Sequence, residues 1–251
     1  MQAFGGTDIG KIRKTNQDFI YTNCKKIGPL PNLFVVADGM GGHNGGEIAS
    51  STAVEAFVSH CESLPFNPEN PDCEPLDALV GAANYANRAV FETAEASPDL
   101  HGMGTTFTAC SVLNDCVKAV HIGDSRLYLI GAEQITQVTQ DHSYVGELVR
   151  AGQLTEAEAE THPKKNILTR VMGVYGDMQA DGCTHPLEGY DSILLCSDGL
   201  TNMLSNDEIK EIVNEGEPVE VRVEKLIKNA NANGGRDNIT AVLIDMRGGS
   251  K

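Results

Sequence analysis

Short runs rich in Val, Ile, Thr and aromatic residues recur along the chain, at 19–22, 33–37, 105–113, 117–122, 126–130, 193–196 and 239–245, each bounded by Gly, Asp or Asn. Runs of that length and composition are strands. Between them, 47–61 and 76–96 carry apolar residues at three-to-four spacing and predict helices. The SNDE at 205–208 and the TEAE at 155–158 have the capping-box pattern. The first opens a helix that stops at Gly216, the second a short helix. Strand blocks interrupted by long helices predict an α+β fold of antiparallel sheets covered by helices. Asp115-Cys116 and Gly131-Ala132 fall where tight turns would join neighbouring runs, which predicts a meander in the middle of the chain.

No repeat or low-complexity tract divides residues 1–251, so a single domain is expected. The proline-rich stretch 64–75 lies between two helical patterns and reads as a connection. No apolar run approaches the roughly 20 residues of a membrane span, and residues 1–10 lack the pattern of a secretory leader. A cytoplasmic, monomeric protein is expected. The seven cysteines are scattered without a CxxC spacing, which disfavours a zinc ribbon or a disulfide framework. Several lie in strand-like runs, where free Cys acts as a small core residue. The net charge of −16 disfavours nucleic acid and anionic membranes as partners. It suits a protein that concentrates cations, although solubility is the commoner reason for acidity.

The chemistry gathers at aspartates beside strands. LFVVADG ends in Asp38-Gly39 and LLCSDG in Asp198-Gly199. Asp237 precedes the run NITAVLID, Asp124 follows VKAVHI, and Asp18 opens FIYT. One aspartate flanking a strand is ordinarily a turn residue or a cap. Five of them, three beside glycine, point to something more. A strand end holds a carboxylate rigidly, and the glycine lets backbone approach a ligand closely. Clustered carboxylates repel unless a cation sits between them, and an oxygen-only set suits Mg²⁺ or Mn²⁺.

The blocks GKIRKTNQD, VVADGMGGHNGGEIAS, GMGTTFTAC, HIGDSRLYLI, LTRVMG, LLCSDGL and GRDNITAVLI occur in this order, from about Gly5 to Asp245 when flanks are included. Together they resemble the PPM (2C-type) metal-dependent Ser/Thr protein phosphatases, particularly the compact bacterial-type members. The resemblance implies a central sandwich of two antiparallel β-sheets flanked by α-helices. It implies hydrolysis of phosphoserine and phosphothreonine by metal-activated water, without a covalent enzyme intermediate. Asp38 would bridge two Mn²⁺ or Mg²⁺ ions, with the Gly39 carbonyl on one of them. Asp198 and Asp237 would complete the other ion's shell, with Asp18 acting through water. Asp124 with Asp198 would take a third, weaker ion. Arg13 aligns with the family's phosphate-binding arginine, whose planar fork grips two phosphate oxygens.

His43 is the candidate proton donor to the departing alkoxide, since imidazole titrates near neutral pH. It departs from the family pattern, because many eukaryotic relatives carry the histidine directly after Asp-Gly, where Met40 stands here. Residues 142–169 occupy the place of the bacterial-type flap beside the site, and either a lid role or an ordinary surface excursion fits them. Thr105, Thr106 and Ser197 read as structural hydroxyls or as hydrogen-bonding groups of the site. The implied partners are phosphorylated proteins and, by the family's usual role, a bacterial Ser/Thr kinase. A non-catalytic binding module is disfavoured because the aspartates are all present, and a metal nuclease because no basic groove is evident. No CxxxxxR run of the tyrosine-phosphatase type occurs.

Overall fold

The computed structural model describes residues 1–41, 45–65 and 74–247. Its strands are β1 (Gln2–Asp8), β2 (Asp18–Asn23), β3 (Leu33–Met40), β4 (Gly104–Thr105), β5 (Phe107–Leu113), β6 (Cys116–Ile122), β7 (Arg126–Ile130), β8 (Ile135–Gln137), β9 (Asp181–Pro186), β10 (Ser192–Cys196) and β11 (Ile239–Asp245). Its helices are α1 (Gly45–Ser63), α2 (Glu74–Ala96), α3 (Tyr144–Arg150), α4 (Glu156–Thr161), α5 (Asp198–Thr201), α6 (Asn206–Asn214) and α7 (Val219–Ala232). One sheet runs β1-β11-β10-β7-β8, and the other runs β2-β3-β5-β6-β9 with β4 added on β3.

Strand periodicity explains how the layers close. Successive side chains of β3 point to opposite faces. Phe34 and Val36 pack with Cys110, Leu127, Leu195 and Val242 between the two sheets. Val35 and Ala37 pack with Ala53, Phe57, Leu79 and Ala83 of α1 and α2 on the outer side. Both faces are buried, so the run reads as continuously apolar rather than alternating. The other sheet is covered in the same way: Tyr128, Leu194 and Leu243 pack against Leu200, Ile209, Val223 and Leu226 of α5, α6 and α7. The result is the expected α+β sandwich with helices on both outer faces. Both capping boxes form, at Thr155/Glu158 and Ser205/Glu208. Among the described residues, no helix is long and apolar enough to cross a membrane.

The expected meander is interrupted. β5 and β6 do form a hairpin, with Leu113 opposite Cys116. Its turn is Asn114-Asp115 rather than Asp115-Cys116, because Asn114 takes the left-handed conformation at φ 52°. β6 and β7 then lie in different sheets, so 123–125 is a crossover and not a hairpin turn. Gly123 makes the bend at φ +106°, and a Cβ there would stand 2.6 Å from Thr106 Cβ. Three strands escape the sequence pattern: glycine-containing β1, three-residue β8, and β9, whose DGCTHP has no apolar alternation. Of the cysteines, Cys61, Cys110 and Cys196 are buried and Cys24 is exposed, while Cys73 lies outside the described residues.

Candidate active site

The five aspartates are drawn together by strand register and by side-chain bonds from distant segments. Asp18 and Asp38 are directly paired across β2 and β3. Asp38 is not at a strand end, as its place in the sequence suggests. β3 continues through Gly39 and Met40, because these pair with Thr105 and Gly104 of β4. The Asp38 amide donates to Thr106 Oγ1 at 3.0 Å, and Thr105 Oγ1 donates to the Asp38 carbonyl at 2.9 Å. Thr106 Oγ1 also meets Ser125 Oγ at 2.7 Å, beside Asp124 in the crossover. Gly39 allows close packing at this point: a Cβ would stand 1.9 Å from the Gly46 carbonyl oxygen of α1.

Asp18 reaches the other sheet. Its Oδ2 accepts from Ser197 Oγ at 2.8 Å and from Thr240 Oγ1 at 2.5 Å. Asp198 also departs from its expected setting, because it opens α5 two residues after β10 ends. Asn202, one helical turn on, donates to Asp198 Oδ2 at 3.0 Å. Gly199 packs on the next segment, with a Cβ there 1.9 Å from the Asn238 carbonyl oxygen. Asp237 precedes β11 and accepts from Arg13 Nη2 at 2.7 Å.

Electrostatics agree with this convergence. Desolvation raises the Asp38 carboxyl well above the carboxylate range, and repulsion from Asp18, Asp198, Asp124 and Asp237 adds to it. Asp124 is raised for the same first reason and by Asp198 and Asp141, against the pull of Arg126. Asp198 is pushed up to about 6 by desolvation and Asp237. Asp18 is pushed up to about 7, chiefly by desolvation, against the lowering bonds from Thr240 and Ser197. Arg13 shifts upward through its bond to Asp237.

Among the described residues, Asp18 Oδ1 and Asp198 Oδ1 are buried acceptors without a hydrogen-bond partner. Orphaned anionic oxygens among like charges are costly unless a cation neutralises them. The donor set is all oxygen, which fits Mg²⁺ or Mn²⁺. Among the described residues, no three Asp, Glu, His or Cys side chains close a cage around one ion. A resident ion would therefore complete its coordination with water or backbone oxygen, as Mg²⁺ commonly does. His43 lies outside the described residues.

Residues 142–169 hold α3 and α4 and stand on a short ladder, with Tyr144 N donating to Ile167 O and Thr169 N to His142 O, both at 2.8 Å. Lys165 Nζ of this segment reaches Asn202 Oδ1 at 3.4 Å, next to Asp198. His142 holds the residue before Asp124 twice: its amide donates to the Gly123 carbonyl at 2.7 Å, and its Nδ1 accepts from the Gly123 amide at 3.0 Å. Thr240, although it lies in the block GRDNITAVLI, and Asn202 and His142 each act through a bond to a residue remote in sequence or one turn away, so their roles are not legible locally.

The family model of protein phosphatase 2C matches residues 11–243. Protein phosphatase PhpP of Streptococcus pneumoniae (strain D39) is 39% identical over 240 residues, covering 96% of this chain and 95% of that protein. The crystal structure of serine/threonine phosphatase Stp1 from Staphylococcus aureus superposes with a TM-score of 0.88 at 34% identity, covering 97% of this chain and 94% of that one. The catalytic domain of serine threonine protein phosphatase PstP, solved in complex with two manganese ions, superposes with a TM-score of 0.82 at 32% identity, covering 97% of each chain.

Proposed function

The chain belongs to the protein phosphatase 2C family, and from that premise we propose that it hydrolyses phosphoserine and phosphothreonine esters in other proteins, with Mn²⁺ or Mg²⁺ held at the aspartate cluster. The observation that carries this reading is the meeting of Asp18, Asp38, Asp198 and Asp237 from remote segments, two of them with orphaned buried oxygens, beside the guanidinium of Arg13. Two divalent ions bound there would offset the phosphoryl charge and acidify a water for in-line attack.

Asp38 and the Gly39 carbonyl, with Asp198 and Asp237, would hold those ions, and Asp18 would act through water. Asp124 with Asp198 would take a third. Ser197 and Thr240 orient the Asp18 carboxylate, and Thr105 and Thr106 fix the backbone of Asp38, so the anionic oxygens face the site without rearrangement. Arg13 spends Nη2 on Asp237 and offers its remaining N–H groups to the phosphate. His43 is the proposed donor of a proton to the departing serine or threonine oxygen. The segment 142–169 would meet the substrate protein, a reading supported by the reach of Lys165 to Asn202 beside Asp198. A Ser/Thr kinase that makes the phosphoproteins is the natural counterpart, and the enzyme would act as a cytoplasmic monomer.

The test is hydrolysis of a phosphothreonine peptide with Mn²⁺, after chelation, and in Asp198→Asn. Activity is expected in the first case alone. Turnover that survives chelation would overturn the reading.

A further inference from the structure

The stretch between β1 and β2 carries Arg13 without helix or strand of its own, and residues 11–15 are exposed. A bidentate grip on phosphate tolerates little error in placement, so something outside the stretch must hold it. One side chain holds it at both ends. Asn238 Nδ2 donates to the Ile9 carbonyl and to the Thr15 carbonyl, each at 3.0 Å. Its Oδ1 accepts from the Gln17 amide at 2.9 Å. The amide therefore ties both arms of the loop, on either side of Arg13, from a position only 4% exposed. The backbone adds Lys11 N to Gly235 O at 2.7 Å. Gly10, at φ +77°, lies so near the same turn that a Cβ would stand 2.2 Å from the Asp237 carbonyl oxygen.

Because Asn238 follows Asp237 directly, one turn of chain sets two things: the carboxylate that accepts from Arg13 and the clamp that places Arg13. We infer that Asn238 is a positioning residue for phosphate binding, acting through Arg13; the inference rests on the reading of Arg13 as the phosphate-gripping group. Two donors and one acceptor on a single planar group suit the clamp. Asp at this position would turn an oxygen on two carbonyls, and Ser is too short to span both arms.

The test is a double-mutant cycle at saturating Mn²⁺ with a phosphothreonine peptide. Asn238→Ala should raise KM about tenfold and change kcat by less than about threefold. In an Arg13→Ala background the same substitution should move KM by less than about twofold, since no guanidinium remains to be placed. Hydrogen exchange in the chelated protein should quicken at 10–17 in Asn238→Ala beyond any global change. Where the alanine variant is too unstable to assay, Asn238→Ser carries the same expectations. An unaltered KM, multiplicative effects in the double variant, or unchanged exchange at 10–17 would each overturn the inference. If Arg13→Ala alone leaves KM unchanged with Asn238 intact, the Arg13 reading itself fails, and this inference with it.

Discussion

Arg13 and Asp237 stand 224 residues apart in the chain, and their side chains meet at 2.7 Å. The Arg13 side chain is 51% exposed and that of Asp237 32%, so solvent screens the pair. Exposed ion pairs contribute about 0–1 kcal/mol to stability. Their contact matters more as a meeting of the phosphate-gripping candidate with the carboxylate cluster.

Arg13→Ala should therefore leave the melting temperature within a few degrees of the parent, about what 1 kcal/mol shifts in a protein of this size. Its effect should fall on KM for phosphopeptide, with Arg13→Lys recovering only part because the ammonium lacks the planar fork. Steady-state kinetics on the three proteins check this, and a KM equal to the parent's in Arg13→Ala would remove the role.

Asp38 is repelled by Asp18, Asp198, Asp124 and Asp237 together. In chelator, Asp38→Asn should be more stable than the parent by about 1–2 kcal/mol, as expected when a strained functional charge is removed. The same variant should lose both the Mn²⁺-induced rise in melting temperature and the activity. Calorimetry with and without Mn²⁺ decides it. A chelated variant less stable than the parent would show that the carboxylates are not in mutual repulsion.

The raised carboxyl groups set a sign for pH. Asp18 lies at about 7 and Asp198 at about 6 in the folded chain, with Asp38 and Asp124 also raised. Unfolded aspartate titrates near 3.9. The folded state therefore binds these protons more tightly, and its stability is greatest at low pH and lost as pH rises through the folded values. Metal-free protein should melt at progressively lower temperature from about pH 5 to pH 8. With saturating Mn²⁺ the slope should reverse over the same window, because protons compete with the ion for carboxylate. Equal slopes in chelator and in Mn²⁺ would contradict the account.

Away from the cluster, Arg222 is buried between α7 and β11, where it bonds Asp245 and donates to the Val213 carbonyl at 2.7 Å. Asp245→Ala would leave that guanidinium without its partner in the interior, a change that costs about 3–5 kcal/mol. Denaturant unfolding should show that loss, while kcat of the folded fraction stays near the parent's. Parental stability in Asp245→Ala would mean that the Val213 carbonyl and solvent already satisfy the Arg222 guanidinium.

Much of the fold was legible. The apolar runs at 33–37 and 239–245 identified β3 and β11, and the two capping boxes located α4 and α6, because each signal lies within a few consecutive residues. β1 was not legible, since QAFGGTD lacks a strand pattern and its extended form comes from pairing with β11, more than two hundred residues away. β9 is similar: its extended form comes from pairing with β6. The roles of Thr240 and Asn238 are not legible for the same reason: Thr240 meets Asp18 across the sandwich, and Asn238 meets the 9–17 loop beside the neighbouring strand β1, neither along the chain.

The sequence alone determined which residue types were on hand: carboxylates next to strands, glycines where backbone must approach backbone, one arginine in the matching block, and enough two-sided apolar strands to build two covered sheets. Tertiary structure decided what those groups face. It ran β3 two residues past Asp38, carried the chain from one sheet to the other at Gly123, and brought Ser197 and Thr240 to Asp18. The reason is range. Propensity and capping act over one or two turns of chain, whereas the protonation and orientation of a carboxylate depend on every charge and donor within a few ångströms, and only the packed register of both sheets sets those neighbours.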